Sequence, residues 1–205
     1  MNQIDISDAL RLTIEHYENN AESFWEGTKD HNVNQNYAAL QTNLPSLTGM
    51  TILDFGCGPG RDLKYFSGRG HKAFGVEGCE KFCEMARAHS GCEVWHQDFC
   101  ELDLPKNFFD GIFANASLFH VPKVQFVRVL KELNEALKEG GILFSSNPRG
   151  NGEFFDGSRY GHYMEMEDYQ NYLNEAGFEV IDHYYRPTGW PREEQPWLAV
   201  VSRKV

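Results

Sequence analysis

The sequence predicts an α/β protein built on a mostly parallel sheet with helices on both faces. Three observations favour this class. A short apolar run at 50–55 ends in glycines and is followed at once by a helical pattern. From there to residue 145, short apolar runs alternate with segments of helical period, which is typical of parallel sheets because each crossover needs a helix. The C-terminal part changes to two strand-like runs without a helix between them.

The elements follow in order along the chain. One helix is predicted with Ser7 or Asp8 as its cap, and a second over 33–44, before a proline. The predicted strands lie at 50–55, 72–76, 92–96, 109–114, 141–145, 178–185 and 197–202. The predicted helices between them lie at 61–67, 80–88, 124–138 and 166–176. We expect a single domain over 1–205, with residues 1–45 as a helical cap or lid and residues 46–205 as the α/β core.

One helix shows its core stripe clearly. In the segment 124–138, apolar residues recur at three- and four-residue spacing, which predicts that one face of the helix is buried. The residues of this stripe are Val124, Val127, Leu130, Leu133 and Leu137.

The composition excludes some partners. The chain has 205 residues and a formal net charge of −11, which argues against a nucleic-acid partner because phosphates would be repelled. It shows no apolar run long enough to span a bilayer and no charged-then-apolar signal at its start, so we expect a cytoplasmic protein without membrane contact. The five cysteines form no C-x-x-C pair, which favours reduced thiols and predicts no metal site.

The segment 51–62, Thr-Ile-Leu-Asp-Phe-Gly-Cys-Gly-Pro-Gly-Arg-Asp, carries the main functional signal. Its three glycines allow a ligand to approach the main chain closely, because no Cβ stands in the way. A glycine turn between a strand and a helix also predicts backbone N–H groups that face a ligand. The spacing differs from the dinucleotide fingerprint G-x-G-x-x-G, because the third glycine would fall at Arg61.

The pattern Asp54-x-Gly56-x-Gly58-x-Gly60 resembles motif I of the class I S-adenosylmethionine-dependent methyltransferases. The resemblance extends from the first strand to the C-terminus. It implies a Rossmann-like, seven-stranded, mostly parallel sheet with an antiparallel last strand, and S-adenosylmethionine as the cofactor. In that family the loop cradles the amino-acid end of the cofactor and the acidic residue orients it. The resemblance therefore implies cofactor contacts for Asp54, Gly56, Cys57, Gly58 and Gly60.

Polar residues also follow the next three predicted strands. Glu77, with Gly78 beside it, ends the second strand, where a carboxylate can accept hydrogen bonds from two ribose hydroxyls. Dinucleotide-binding folds use the same device. The resemblance assigns the adenine amino group to Asp98 and the adenine ring face to Phe99. It implies that Asn115 holds the methionine end through its backbone carbonyl.

The acceptor end of the site is less specified. His120 follows the fourth strand, where a general base could reach a substrate, although a lone histidine can equally be structural. A base is needed only if the nucleophile carries a proton. Arg159 or Arg186 could hold a substrate carboxylate in a bidentate fork, with ordinary surface positions as the alternative. The candidate residues of the substrate site or lid are Tyr17, Trp25, Thr28, His31, Phe119, Arg159, Tyr160 and Arg186.

Together these observations predict methyl transfer from S-adenosylmethionine to a small polar molecule by in-line displacement, through a nitrogen, sulfur or oxygen nucleophile. Two alternatives stay open. One is an NAD(P)-linked oxidoreductase on a related fold, and the other is a non-catalytic subunit that keeps the cofactor fold. The sequence does not indicate an oligomeric state.

Overall fold

A computed structural model describes residues 5–205. The helices are α1 (Ile6–Asn19), α2 (Ala21–Thr28), α3 (Asn34–Gln41), α4 (Arg61–Gly68), α5 (Glu80–Ser90), α6 (Lys123–Ala136) and α7 (Met166–Glu175). The strands are β1 (Thr51–Phe55), β2 (Lys72–Glu77), β3 (Glu93–His96), β4 (Phe109–Asn115), β5 (Leu137–Pro148), β6 (Gly152–Phe155), β7 (Tyr160–Tyr163), β8 (Phe178–Arg186) and β9 (Trp197–Lys204). Short 3₁₀ turns occupy Leu118–His120 and Arg192–Glu194.

Seven strands form one sheet in the order β3-β2-β1-β4-β5-β9-β8. The pairs β1–β2, β2–β3, β1–β4 and β4–β5 are parallel. Strand β9 runs antiparallel between β5 and β8. The predicted Rossmann-like sheet with an antiparallel last strand is therefore confirmed. Strands β6 and β7 form a separate antiparallel hairpin.

The alternation of side chains along β1 explains why helices cover both faces. Leu53 packs into one core with Leu130 of α6 and Leu173 of α7. Its neighbour Ile52 packs into a second core, on the other face, with Leu40 of α3. Each fully buried leucine or isoleucine contributes about 1.5–3 kcal/mol, so the two cores hold the strand ends in fixed positions.

Some predicted bounds are wrong at the ends of elements. The cap of α1 is Asp5 rather than Ser7 or Asp8, because an Asp5 carboxylate oxygen accepts the Ser7 N–H at 2.8 Å. Helix α6 begins at Lys123 and ends at Ala136, and β5 follows without a loop.

The prediction of which α6 residues are buried is also partly wrong. Val124 lies in the first turn and is 73% exposed, and Leu137 already belongs to β5. The buried face of the helix instead consists of Phe126, Val129, Leu130, Leu133 and Ala136.

Two elements were not predicted. The mixed aromatic and polar segment Ala21–Thr28 forms α2, and the hairpin β6–β7 forms from two four-residue strands that carry no long alternation. Both lie close to the site described below.

No helix in residues 5–205 combines the length and apolar content that crossing a bilayer requires. Over the same residues, no group of three or more His, Cys, Asp or Glu side chains is arranged to hold a metal ion.

Candidate active site

A cleft of about 880 Å³ opens at the carboxyl ends of β1 to β4, and residues of α1 and α2 line its other side. Parallel strands bring their carboxyl ends to one edge of the sheet, which is where ligands bind in such folds. The predicted site residues that line the cleft are Tyr17, Gly56, Gly58, Glu77, Gly78, Asp98, Phe99 and His120.

Two turn glycines face the cleft for different reasons. Gly58 has φ +50°, and a Cβ there would point into open space, with Phe24 Cε1 as its nearest neighbour at 3.9 Å. A side chain at Gly58 would therefore occupy room that a ligand needs. At Gly56 a Cβ would lie 2.3 Å from Ser117 Cβ, so this glycine allows the loop after β4 to close over the turn.

Gly60 and Cys57 point away from the cleft. A Cβ at Gly60 would lie 2.8 Å from the Cα of Ala86, so this glycine allows α5 to pack closely on the start of α4. The buried Cys57 side chain lies under β2, where its sulfur would be 2.8 Å from a Cβ at Gly75. Burial raises the pKa of the Cys57 thiol. Their predicted contacts with a cofactor stay predictions.

The turn does not offer the free N–H groups that we expected. The N–H groups of Gly56 and Cys57 donate to a β2 carbonyl oxygen at 2.8 and 3.2 Å. The Gly58 N–H donates to the Glu77 carboxylate at 2.9 Å, and the Gly60 N–H donates to the Cys57 carbonyl at 3.1 Å. For these four residues the expectation is wrong, because the turn satisfies its own N–H groups. A pyrophosphate group would find none of these four donors available.

Two acidic residues lie beneath the turn. Asp54 is 2% exposed, and its Oδ2 has no hydrogen-bond partner within residues 5–205. Burial, followed by the nearby charge of Asp62, raises the pKa of Asp54 well above its ordinary value. Asp62 itself is held by Arg61 at 2.6 Å and by the Tyr37 hydroxyl at 2.5 Å. A cationic ligand above the turn would favour the ionised form of Asp54, whereas a phosphate would be repelled.

Glu77, the last residue of β2, is an acidic residue that lines the cleft. Its carboxylate accepts the backbone N–H groups of Gly58, Gly78 and Cys79 at 2.9, 2.9 and 3.0 Å. Burial raises the Glu77 pKa, and these three bonds oppose the rise. An ionised carboxylate has about four acceptor positions, so one remains for a ribose hydroxyl.

An acidic and an aromatic residue after β3 also line the cleft. Asp98 is exposed and uses Oδ1 to accept the Cys100 N–H at 2.7 Å, while its Oδ2 makes no hydrogen bond within residues 5–205. The Phe99 ring lies 4.4 Å from the Phe55 ring and offers a flat apolar surface to the cleft. Asn115 does not line the cleft with its side chain, which accepts from Asn36 at 2.8 Å. Its predicted backbone contact stays a prediction.

His120 and Tyr17 meet at the far end of the cleft. His120 Nδ1 lies 2.7 Å from the carbonyl oxygen of Tyr160, and Nε2 lies 2.9 Å from the Tyr17 hydroxyl. A carbonyl oxygen can only accept, so Nδ1 carries the hydrogen and Nε2 accepts from Tyr17. Burial lowers the His120 pKa to about 4 and raises the Tyr17 pKa. Both groups are therefore neutral near neutral pH.

Helix α1 and the β6–β7 hairpin hold this pair together. The Tyr160 N–H donates to Thr13 Oγ1 at 2.8 Å, and the Thr13 hydroxyl donates to the Ala9 carbonyl at 2.7 Å. Tyr160 thus bonds α1 through its N–H and His120 through its carbonyl.

Several predicted substrate or lid residues do not line the cleft. Trp25 packs on His89 with ring centroids 4.7 Å apart, and the Thr28 hydroxyl donates to a carbonyl of its own helix. His31 is exposed, and Phe119 packs on the His120 ring at 4.0 Å.

Neither of the two arginines proposed for a substrate carboxylate lines the cleft, although Arg159 lies close enough to Tyr17 to oppose the rise in the pKa of that hydroxyl. Arg159 is exposed and pairs with Asp156 at 3.3 Å. Arg186 donates to Asn36 at 3.0 Å and lines a second cavity of about 540 Å³ that shares no lining residue with the cleft.

The sequence interpretation missed much of the apolar wall. The stripe of α1 at four-residue spacing could have indicated it, because it continues into Tyr17. The additional lining residues include Ile6, Leu10, Ile14, Phe24, Phe82, His96, Gln97, Cys100, Glu101, Ser117, Pro122 and Val124.

Comparisons with known proteins identify methyltransferases as similar in sequence and in fold. Residues 52–141 match the family model described as a methyltransferase domain. The sterol 24-C-methyltransferase of Aspergillus fumigatus is 27% identical over 130 residues, which are 60% of this chain and 33% of that protein. The chain thus matches about a third of that relative's length.

Solved structures show the same fold. The 1,6-didemethyltoxoflavin-N1-methyltransferase of Burkholderia thailandensis, with S-adenosylhomocysteine bound, has a TM-score of 0.82 at 19% identity, over 100% of this chain and 92% of that one. An S-adenosylmethionine-dependent methyltransferase from Mesorhizobium loti has a TM-score of 0.71 at 22% identity, over 82% and 97%.

Proposed function

We propose that this chain, which belongs to the class I S-adenosylmethionine-dependent methyltransferase family, transfers a methyl group from that cofactor to a small molecule. The observation that carries the proposal is a single cleft with two chemically different ends. One end has acidic side chains and a glycine turn without free N–H donors, and the other has a neutral His–Tyr pair. When bound, S-adenosylmethionine supplies a methyl group already activated on a sulfonium.

The residues at the first end fit this cofactor in type and position. Gly58 leaves room above the turn, and the orphaned oxygen of the buried Asp54 suits a nearby positive charge. Glu77 keeps one acceptor position for a ribose hydroxyl, and Asp98 with Phe99 suits an adenine amino group and ring. A dinucleotide would instead bring a pyrophosphate to a turn whose donors are used, beside the acids Asp54 and Glu77 and an arginine, Arg61, that is already paired with Asp62. No observation favours the oxidoreductase alternative.

At the second end, we assign His120 as the group that receives the proton of a protic nucleophile. Its Nε2 is the acceptor atom of the ring, and the bond from Nδ1–H to Tyr160 fixes that tautomer. As a nucleophile bonds to the methyl carbon it becomes positively charged and its proton becomes acidic. A weak base is then sufficient. The Tyr17 hydroxyl donates to Nε2 until a hydroxyl or amine of the methyl acceptor takes the place of that hydroxyl.

The names of the compared proteins refer to sterols and to a toxoflavin precursor, which supports a small-molecule acceptor. We also propose that the helices within residues 1–45 act as a cap over the cleft formed by the core at 46–205. Tyr17 and Phe24, which line the cleft from this segment, support that division. The cytoplasmic location stays a prediction.

Calorimetry with S-adenosylhomocysteine and with NADH tests the cofactor. We expect saturable binding of the first and none of the second. Binding of NADH alone would refute the proposal. The enzyme is then incubated with methyl-labelled S-adenosylmethionine and a low-molecular-weight cell extract, with His120→Gln as the comparison. A labelled small molecule formed by both the wild type and His120→Gln at equal rates would remove His120 from the mechanism. No labelled product from either would favour the non-catalytic alternative.

A further inference from the structure

The part of the cleft between α1 and the start of α6 differs from what a polar, charged substrate requires. Apolar side chains line it on both sides. Ile6, Leu10 and Ile14 follow each other at four-residue spacing along α1 and face the cleft. Opposite them lie Pro122 and Val124 at the start of α6.

Val124 is 73% exposed although it lines this cleft. A single exposed valine needs no explanation on most surfaces. The exposed Ile14 lines the same cleft, and exposed apolar side chains gathered in one cleft indicate a ligand-binding groove. Water alone would leave this wall unfavourably hydrated.

The charges around the cleft argue against an anionic acceptor. The acidic residues in the lining are Glu77, Asp98 and Glu101, and the only lysine or arginine in the lining, within residues 5–205, is Arg11. Arg11 already bonds Glu15 at 2.6 Å and Asp8 at 3.2 Å. An acceptor carboxylate or phosphate would lose its hydration without gaining a free cation.

The remaining charged and titratable neighbours do not change this result. His96 in the lining lies 3.0 Å from the Gly78 carbonyl. Lys123, beside Val124, does not line the cleft. Arg159, on the hairpin, lies near the Tyr17 hydroxyl and lowers the pKa of His120, but it does not line the cleft and its charge is already paired with Asp156 at 3.3 Å.

We propose that the acceptor is an uncharged, predominantly apolar molecule with one protic group. Its body lies between α1 and the start of α6, and its hydroxyl or amine reaches the His120–Tyr17 pair. This inference rests on the proposed function and replaces the small polar acceptor expected from sequence. The arginine fork that suggested a carboxylate has no counterpart in the cleft.

Two probes with the same ring system test the charge. The protein saturated with S-adenosylhomocysteine is titrated near neutral pH with 2-naphthol, which is uncharged, and with 2-naphthoate, which is an anion. We expect 2-naphthol to bind at least about tenfold more tightly, a difference of about 1.4 kcal/mol. Equal or tighter binding of 2-naphthoate overturns the proposal, and so does the absence of saturable binding by either probe.

Paired variants test the wall. Val124→Asp should weaken 2-naphthol binding by about fivefold or more, because it puts a charge beside the apolar body. Leu47→Asp is the matched control, because Leu47 is a similarly exposed residue, at 68%, that lies outside the cleft. Equal effects of the two substitutions would contradict the proposal that the apolar body binds between α1 and the start of α6. S-adenosylhomocysteine binding is measured on the same samples, so a failure of the cofactor assignment is seen separately from a failure of the acceptor class.

Discussion

The two ends of the cleft are built in different ways. At the cofactor end, the functional groups lie at or just beyond the carboxyl ends of parallel strands, as Glu77 ends β2 and Asp98 comes two residues after β3. At the acceptor end, groups far apart in sequence meet in pairs. Tyr17 and His120 are 103 positions apart, and Thr13 and Tyr160 are 147 apart.

This difference has a physical consequence. The sheet fixes the cofactor end, because its strand ends are held between two buried cores. The acceptor end depends on how α1 docks on the hairpin. Substitutions at the first end should therefore weaken cofactor binding, whereas those at the second should change proton transfer and acceptor binding while the cofactor still binds.

The largest effect is expected for Gly58→Val. The new side chain would both occupy the cleft and require an unfavourable positive φ. We expect S-adenosylhomocysteine affinity to fall by more than about 100-fold, equivalent to about 2.7 kcal/mol. Gly49→Val is the matched control, because Gly49 also has a positive φ, +74°, but no atom lies within 4 Å of a Cβ there. If both variants lose affinity to the same extent, then backbone strain, and not the loss of room in the cleft, causes the loss.

A smaller effect is expected for Glu77→Gln. The amide keeps one acceptor oxygen, but its NH₂ group would face a backbone N–H that now donates to the carboxylate. Loss of charge-assisted bonds of this kind costs about 1.5–3 kcal/mol, so affinity should fall roughly 10- to 100-fold in calorimetry. Glu80→Gln, an exposed position in the first turn of α5, serves as the control. Unchanged binding by Glu77→Gln would remove Glu77 from the cofactor site.

The contrast also explains how far sequence reasoning could reach. Strand, glycine turn and acidic strand tips are local signals. Together with the family resemblance they predicted the sheet, its antiparallel last strand, and that Gly58, Glu77 and Asp98 lie together at one edge of it. Even there, the role of the turn was misjudged, because hydrogen bonds from Gly56 and Cys57 to β2 depend on the pairing of two strands.

The acceptor end was less predictable because its contacts are tertiary. His120 was a candidate, but its partner Tyr17 and the carbonyl of Tyr160 are set by the docking of distant elements. The exposed Val124 shows the same limit. Its spacing fits a core stripe, yet Val124 lies off the buried face of α6, which is formed by Phe126, Val129, Leu130, Leu133 and Ala136, and it lines the cleft instead.

The neutral state of His120 predicts a dependence of stability on pH. Its pKa falls from 6.5 to about 4 in the folded protein, so the unfolded chain binds a proton first as the pH drops. The stability that the protein has while His120 is neutral in both states is fully present above about pH 6.5, and the free energy of unfolding falls as the pH drops towards 4. At 1.36 kcal/mol per pKa unit, and with some solvent access at the cleft, we expect a loss of about 2 kcal/mol.

Urea unfolding of the wild type and of His120→Gln, at the two ends of that pH range, measures the loss. His162 and His71 also have lowered pKa values, so both proteins should lose stability, but the variant should lose less. Equal losses in the two proteins would mean that His120 is charged in the folded state.

The smallest expected effect is at Thr13, which we regard as a positioning residue. Thr13→Val removes the oxygen that accepts the Tyr160 N–H, so that a buried N–H loses its partner and the hairpin shifts. The Tyr160 carbonyl then holds His120 Nδ1 less firmly.

Nitrogen-15 NMR of the His120 ring should show the Nδ1–H tautomer in the wild type and a mixture of tautomers in Thr13→Val. Thr13→Ser should restore the wild-type spectrum, because it restores the hydroxyl. S-adenosylhomocysteine affinity should change by less than about twofold in both variants, since Thr13 touches no group at the acidic end. A wild-type spectrum for Thr13→Val would show that the hairpin orients His120 without α1. A large loss of cofactor affinity would show that the two ends of the cleft are not independent.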